Sequence, residues 1–158
     1  MKSIVKPFVV LALLMLASCS VKPVFEQEVA FDDLIWNRFN IIEMDLPVED
    51  ADALYDVQVS FVHTDVYPSD HIAMNITFYF PNGGMRSRDY EFRLQDDKMQ
   101  WVGEKSGELY SNIFPVNLGM RFPETGITRV RIENKMTKFN MAGIASVGLV
   151  VETTPAKR

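Results

Sequence analysis

Few residues in this 158-residue chain could do chemistry: it contains one cysteine and two histidines. With Cys19 as its single thiol, the chain can form neither an intrachain disulfide nor a cysteine-rich zinc site. The imidazoles of His63 and His71 stand close in sequence to Asp65 and Asp70, and such a set could bind a divalent cation. The spacing matches no metal motif. We therefore interpret the segment as a polar surface loop between strands, and expect no catalytic group, cofactor or metal.

Aromatic and basic side chains supply the remaining candidates. Trp36 and Trp101 could stack on sugar rings, but a tryptophan that seals one end of the core is the simpler interpretation. Arg129 and Arg131 share one face of a predicted strand and could meet an acidic partner, although such residues usually form the solvated face of a sheet. Tyr67 completes this set of possible partner or glycan contacts. A linear row of exposed aromatics would favour a sugar, and a flat apolar patch would favour a protein.

Residues 1–18 have the pattern of a secretory signal peptide. Lys2 and Lys6 precede an unbroken apolar run from Phe8 to Ala17. That run of ten residues is too short to span a bilayer, which needs about 20 residues in a helix. It ends in Leu16-Ala17-Ser18-Cys19, which resembles the lipobox of bacterial lipoproteins: an aliphatic residue, two small residues and the cysteine.

The lipobox predicts a lipid anchor on Cys19. Its thiol would accept a diacylglyceryl group, and cleavage of the Ser18–Cys19 bond would leave the cysteine as the first residue. The alternative is an ordinary cleaved signal with an incidental cysteine. No aspartate follows the cysteine, and Glu26 is the first acid after it, which favours the periplasmic face of the outer membrane. Two or more acyl chains hold a protein stably on a membrane, and no other apolar stretch approaches membrane length.

The chain is acidic, with a formal net charge of -5. Removal of residues 1–18 takes away two lysines and no acids, which leaves 14 basic and 21 acidic residues and a net charge of -7. Ten of the acids lie in residues 19–56 with only two bases, and we interpret that part as a solvated acidic segment. An acidic chain without a basic patch argues against a nucleic-acid partner.

Alternation of apolar and polar residues predicts the fold. Five stretches alternate strictly, as is typical of half-buried antiparallel strands: 55–61, 72–80, 90–94, 129–133 and 147–151. A further strand is expected over 39–46, and a helical turn or two near 49–54. Pro81-Asn82-Gly83-Gly84 predicts a tight turn between two strands. Gln95-Asp96-Asp97-Lys98 predicts another loop, and Pro123-Glu124-Thr125-Gly126 predicts a turn that enters a strand.

These features predict an all-β fold, an antiparallel two-sheet β-sandwich of seven or eight strands, with a closed barrel as the alternative. The length fits one domain. We expect a lipidated tether and first packed segment over residues 19–38, the sandwich over 39–152 and a disordered tail over 153–158.

Several short motifs occur in a particular order: Tyr67-Pro68, Phe80-Pro81-Asn82-Gly83, Trp101-Val102-Gly103, Gly107-Glu108-Leu109-Tyr110, Arg121-Phe122-Pro123-Glu124-Thr125-Gly126, Met136 and Gly143-Ile144-Ala145-Ser146-Val147-Gly148-Leu149. Together with the lipobox and Trp36 they resemble the gliding motility lipoprotein GldH family of Bacteroidetes over nearly the whole mature chain. The resemblance implies an outer-membrane lipoprotein without enzymatic activity, linked to gliding and its associated secretion machinery. We expect an accessory role through contacts with other envelope proteins, with a glycan-binding module as the alternative.

Overall fold

The computed structural model describes residues 22–155. The predicted signal peptide with its Ser18–Cys19 cleavage bond, and Cys19 as the predicted site of lipid attachment, lie outside these residues, as do residues 156–158 of the predicted tail. In the described part of the chain no helix is long and apolar enough to cross a membrane.

The described residues contain eleven antiparallel strands, which form two facing sheets and a short ribbon. The strands are β1 Phe25–Ala30, β2 Ile35–Asn37, β3 Ile42–Val48, β4 Tyr55–Thr64, β5 His71–Tyr79, β6 Met85–Arg93, β7 Glu104–Ser106, β8 Leu109–Met120, β9 Gly126–Asn134, β10 Asn140–Ala142 and β11 Ile144–Thr153. One sheet has five strands in the order β1-β11-β4-β8-β7, the other has four in the order β3-β9-β5-β6, and β10 pairs with β2 in the ribbon. The prediction of an all-β, two-sheet sandwich is confirmed, and eight of these strands are six residues or longer.

The period of two along each strand builds the core. In β3 buried and exposed residues alternate without a break, and the inward residues of β4, β5, β9 and β11 are buried in the same way. Because successive side chains point to opposite faces of a sheet, this alternation places one apolar face of each sheet against the other. The five alternating stretches predicted from the sequence coincide with strands of the structure, except that Phe80 and Leu94 lie one residue beyond β5 and β6.

The predicted turns lie where the chain reverses. Pro81-Asn82-Gly83-Gly84 connects β5 to β6, with Gly83 at φ 85° in the left-handed region that glycine adopts without strain. The segment 95–98 is a loop after β6, and 123–126 leads into β9.

Several predicted boundaries differ from the structure. Residues 25–30 and 35–37, expected in a tether and first packed segment, are strands, so the sandwich begins at Phe25. The predicted helical turn near 49–54 is wrong, because these residues form bends. The strand expected over 39–46 is Ile42–Val48. At the other end, the Thr154 amide donates to the Leu54 carbonyl, so backbone hydrogen bonding continues past residue 152.

Candidate functional site

His63 is a core residue and not part of a surface loop. It is fully buried at the inner face of β4, where its ring stacks on Tyr110 at 5.5 Å and meets Trp101 edge-on at 4.7 Å between centroids. Its Nδ1 donates to the Thr64 carbonyl oxygen at 2.8 Å, and its Nε2 has no partner among residues 22–155. The expectation of a loop containing His63 is wrong, because β4 runs through to Thr64.

Burial decides the protonation of this imidazole. Removal from water lowers the pKa of His63, and the hydrogen bond to the Thr64 carbonyl raises it by less. The side chain is therefore neutral at neutral pH. With no exposed surface it cannot act as a base on an external substrate.

The second histidine lies apart from the first, on the surface. The Asp70 carboxylate accepts a hydrogen bond from His71 Nδ1 at 2.7 Å, and this bond is the main cause that lowers the pKa of Asp70. Ser69 Oγ lies 3.2 Å from the same nitrogen. Within residues 22–155 no three histidine, cysteine, aspartate or glutamate side chains come together in a way that could hold a metal ion.

Three aromatic side chains proposed as possible contacts belong wholly or partly to the core. Trp36 has no exposed surface, and its Nε1 donates to the Asn40 carbonyl at 2.8 Å. Tyr67 is also buried, and burial followed by the neighbouring Asp70 carboxylate raises the pKa of its hydroxyl. Trp101 is partly buried against the core, at the end of the sandwich that holds His63. Trp36 therefore offers no free ring face to a sugar.

The two arginines of β9 lie on the outer face of the four-stranded sheet, as predicted, but they already have acidic neighbours. Arg129 Nε lies 3.3 Å from Asp45 Oδ1, and Arg131 Nη2 lies 2.6 Å from Glu133 Oε1. Together with Glu43, Tyr79 and Ile127 they line a shallow depression of about 520 Å³. Since both signs of charge alternate across this face, it is a mixed polar surface and not a cationic patch.

The most exposed aromatic pair of the described residues lies elsewhere and was not foreseen. Phe39 is 74% exposed and Phe139 is 51% exposed, and their rings meet edge-to-face with centroids 5.2 Å apart. Phe39 follows β2 and Phe139 precedes β10, so the two-stranded ribbon brings together residues that are far apart in the chain. No local pattern in the sequence signals this pairing. We call Phe39 and Phe139 the Phe pair.

Hydrogen bonds hold the loops of the Phe pair in place. The Arg38 amide donates to the Phe139 carbonyl at 2.8 Å, and the Asn37 side chain donates to Asn140 Oδ1 at 2.8 Å. The Phe39 amide donates to Asn37 Oδ1 at 2.8 Å. These bonds fix the backbone that carries the two rings.

The Phe pair lies at the end of the sandwich opposite residue 22. The chain enters β1 beside the last residues of β11, where Phe25 pairs with Val151. The ribbon precedes the first residue of β11, and the ten residues of that strand span about 33 Å. We call the end near Phe25 the proximal end and the end with the Phe pair the distal end.

Comparison with known proteins agrees with this architecture. A family model described as GldH lipoprotein matches residues 23–151, which is most of the chain. The chain is also similar to a protein of Christiangramia forsetii named gliding motility lipoprotein GldH homolog, with 21% identity over 150 residues that cover 90% of this chain and 91% of the relative. Neither name refers to an enzymatic activity, and membership in a lipoprotein family implies association with a membrane. The chain belongs to the GldH lipoprotein family.

Proposed function

We propose that this chain is a non-catalytic lipoprotein, anchored by acyl chains on Cys19 to the periplasmic face of the outer membrane, that acts by binding other envelope proteins. Residues 1–18 would be removed as a signal peptide. The relative's name refers to gliding motility. We extend that to an accessory role in motility, or in the secretion machinery linked to it, through protein–protein contacts.

The Phe pair is the observation that carries this proposal. Large aromatic side chains dominate the energetics of protein interfaces, and two exposed rings in contact are an unusual feature of a surface that meets only water. Arg38 and Lys138 flank the rings in sequence, are exposed, and take part in no ion pair among the described residues. Asp32 and Asp33 line a depression with Asn37, Asn40 and Asn140 beside the same loops. The surface therefore combines an apolar centre with a polar rim that carries both signs of charge, an arrangement that suits a protein partner.

The histidines support binding over chemistry. His63 is closed off from solvent, and His71 is held by Asp70 and Ser69 on the surface. Nucleophilic or general-base chemistry requires a reactive group and its base within hydrogen-bond distance in an accessible site. His63 is not accessible, and His71 Nδ1, which donates its hydrogen to Asp70, cannot also accept a proton from the Ser69 hydroxyl.

Glycan binding has less support from the aromatic side chains. Sugar rings stack on flat, accessible aromatic faces, but Trp36 is buried and the rings of the Phe pair stand at 74° to each other. Tyr79 is the other markedly exposed aromatic of the described residues, and it lies on the outer face of the four-stranded sheet. These rings do not form a linear row.

Affinity purification of the chain from detergent-solubilised membranes tests the proposal. We expect envelope proteins to co-purify with the wild type and to be lost from the Phe39→Ser/Phe139→Ser variant. Met99→Ser is the matched control, since Met99 is an equally exposed apolar residue at 80%. Unfolding curves of the three proteins establish that all are folded. Equal recovery of partners with wild type and double variant would contradict a role for the Phe pair.

A further inference from the structure

The strand β6 leaves a long open edge on the four-stranded sheet. All nine of its residues pair with β5 in unbroken register, and it contains no proline. Its other edge has no partner strand among residues 22–155. The Phe80 amide donates to the Gly84 carbonyl at 2.8 Å, and this sets which residues face the open edge. Alternate residues direct their backbone N–H and C=O groups there: Met85, Ser87, Asp89, Glu91 and Arg93.

Two arginines occupy core-facing positions of this edge strand. Arg86 pairs with Phe78 and Arg88 pairs with Ile76, and both of those partners are buried. The arginines themselves are exposed, because the sandwich is open on this flank. Neither takes part in an ion pair within the described part of the chain.

Arginines at core-facing positions of an edge strand limit which other strands can pair with that edge. Inward-pointing charge on an edge discourages pairing with ordinary apolar strands, because the added strand would bury a cation without a counter-charge. The same charge favours a strand that brings carboxylates to those positions. Arg86 also lines a depression of about 430 Å³ with Arg121 and a single carboxylate, Asp52. The local balance of charge therefore favours an acidic occupant.

The core-facing residues that follow the two arginines along β6 are aromatic. Phe92 of β6 stacks on Phe114 of β8 with centroids 4.7 Å apart, and the Tyr90 hydroxyl donates to the Val116 carbonyl at 3.2 Å. Tyr90 remains partly exposed. An added strand would cover this ring with the residue opposite it.

We propose that β6 is a docking strand for an extended acidic protein segment, which adds to the open edge with acidic side chains opposite Arg86 and Arg88 and an apolar side chain opposite Tyr90. This surface is separate from the Phe pair and does not depend on it. Main-chain hydrogen bonds would supply affinity, and the alternate side chains would supply specificity.

A second copy of this chain fits the edge less well. In an antiparallel pairing of two β6 strands centred on Asp89, the two Asp89 carboxylates would stand opposite each other. A pairing centred on Arg88 would place two guanidinium groups together. Like charges in directly opposite positions destabilise a strand pair.

Synthetic capped peptides test the proposal on the full chain in detergent. The probe is the nonapeptide Thr-Val-Thr-Val-Thr-Glu-Thr-Glu-Thr, which in antiparallel alignment places its valines opposite Phe92 and Tyr90 and its glutamates opposite Arg88 and Arg86. Its affinity is measured by isothermal titration calorimetry. We expect binding by the wild type and at least about tenfold weaker binding by Arg86→Glu/Arg88→Glu. Arg93→Glu, on the outer face of the same strand, should bind as the wild type does. A peptide with lysine in place of glutamate should bind the double variant better than it binds the wild type, which excludes misfolding as the cause.

N-methylated peptides separate strand addition from simple charge attraction. Residues opposite Ser87 and Asp89 would hydrogen bond to β6, whereas residues opposite Arg86 and Arg88 would direct their amides away from it. Methylation of the amides of the two threonines opposite Ser87 and Asp89 should therefore abolish binding, and methylation of the glutamate amides should not. No binding of the acidic peptide, or binding that neither the arginine substitutions nor threonine methylation weakens, would overturn the proposal. So would self-association of the free chain in sedimentation that Arg86→Glu/Arg88→Glu abolishes.

Discussion

At the scale of single residues, His63 packs its imidazole against the rings of Tyr110 and Trp101. The Thr64 carbonyl accepts its Nδ1–H, which fixes the neutral tautomer with an unprotonated Nε2. Protonation of Nε2 would put a charge where no acceptor of the described residues stands. The neutral form of this residue is thus part of the folded structure.

This burial predicts a pH dependence of stability. The pKa of His63 is lowered in the folded state from a value of about 6.5 in the unfolded chain. As the pH falls below about 6.5, the unfolded chain therefore takes up the proton first, and the free energy of unfolding decreases until the folded pKa is passed. The contribution of His63 is fully present above pH 6.5.

Urea denaturation between pH 4 and pH 8 measures this effect. We expect His63→Phe to lose the part of the pH dependence just below pH 6.5, whereas His71→Gln, a substitution of the exposed histidine, keeps it. The same slope in wild type and His63→Phe would show that His63 does not titrate between the two states.

The types of the residues in the sequence did not predict the burial of His63 or the contact within the Phe pair. The polar neighbours Asp65, Asp70 and His71 suggested a loop, and periodicity had to decide whether His63 belonged to it. The alternation of β4 continues two residues past Phe61, but a histidine and a threonine do not register as core residues in a hydropathy pattern. The Phe pair was out of reach, because it forms only when β2 and β10 pair.

At the scale of elements, the junction between β10 and β11 is a close backbone contact at the distal end. Gly143 adopts φ 80°, and a Cβ atom there would stand 2.8 Å from the Tyr67 backbone nitrogen. The Gly143 carbonyl also accepts the Thr64 amide at 2.8 Å. This glycine therefore lets the ribbon with the Phe pair lie directly against the end of β4.

Replacement of Gly143 by alanine should lower the free energy of unfolding by more than the strain of its positive φ alone. Gly107 also has a positive φ, 61°, but no atom lies within 4 Å of the position that a Cβ atom would take there. We expect Gly107→Ala to lose about 1 kcal/mol of unfolding free energy through strain, and Gly143→Ala to lose about 3 kcal/mol or more because the Tyr67 backbone must also move. If urea denaturation gives the same loss of unfolding free energy for both variants, the close approach to Tyr67 does not contribute to the effect of Gly143→Ala.

Strands with clean alternation were predicted from the sequence, and strands with irregular patterns were not. The longest strand, β8, was missed, although Phe114 and Val116 point inward. Pro115, a buried Asn112 and a bulge in its pairing with β4 obscure its period. The sequence of β1 reads as a tether because it contains two glutamates, and its pairing with β11 became clear only from the three-dimensional arrangement.

At the scale of the whole molecule, the first described residues and the Phe pair lie at opposite ends. Phe25 follows Cys19 by six positions, a distance that an extended chain covers in at most about 20 Å, so a lipid on Cys19 would hold the proximal end close to the bilayer. The distal end would then face away from the membrane, toward proteins that project from it or pass through the periplasm.

The anchor itself makes a prediction about processing. Cys19→Ala removes the thiol that accepts the lipid, so the variant should retain residues 1–18 and carry no acyl chain. Mass spectrometry of the N-terminal peptide distinguishes the two forms. The wild-type peptide should begin at an acylated Cys19, and an unmodified cysteine or a different first residue in the wild type would contradict lipid anchoring there.

The most direct test of the central claim is photo-crosslinking in intact cells, with a photoreactive phenylalanine analogue placed at position 139 and, as a control, at position 99. Both sites are exposed, but position 139 alone belongs to the Phe pair. We predict that the probe at position 139 crosslinks to a discrete envelope protein and that this product is absent with the probe at position 99. The same crosslinked products from both positions, or no protein crosslink at position 139, would contradict the proposal that this lipoprotein acts through a protein partner at its distal end.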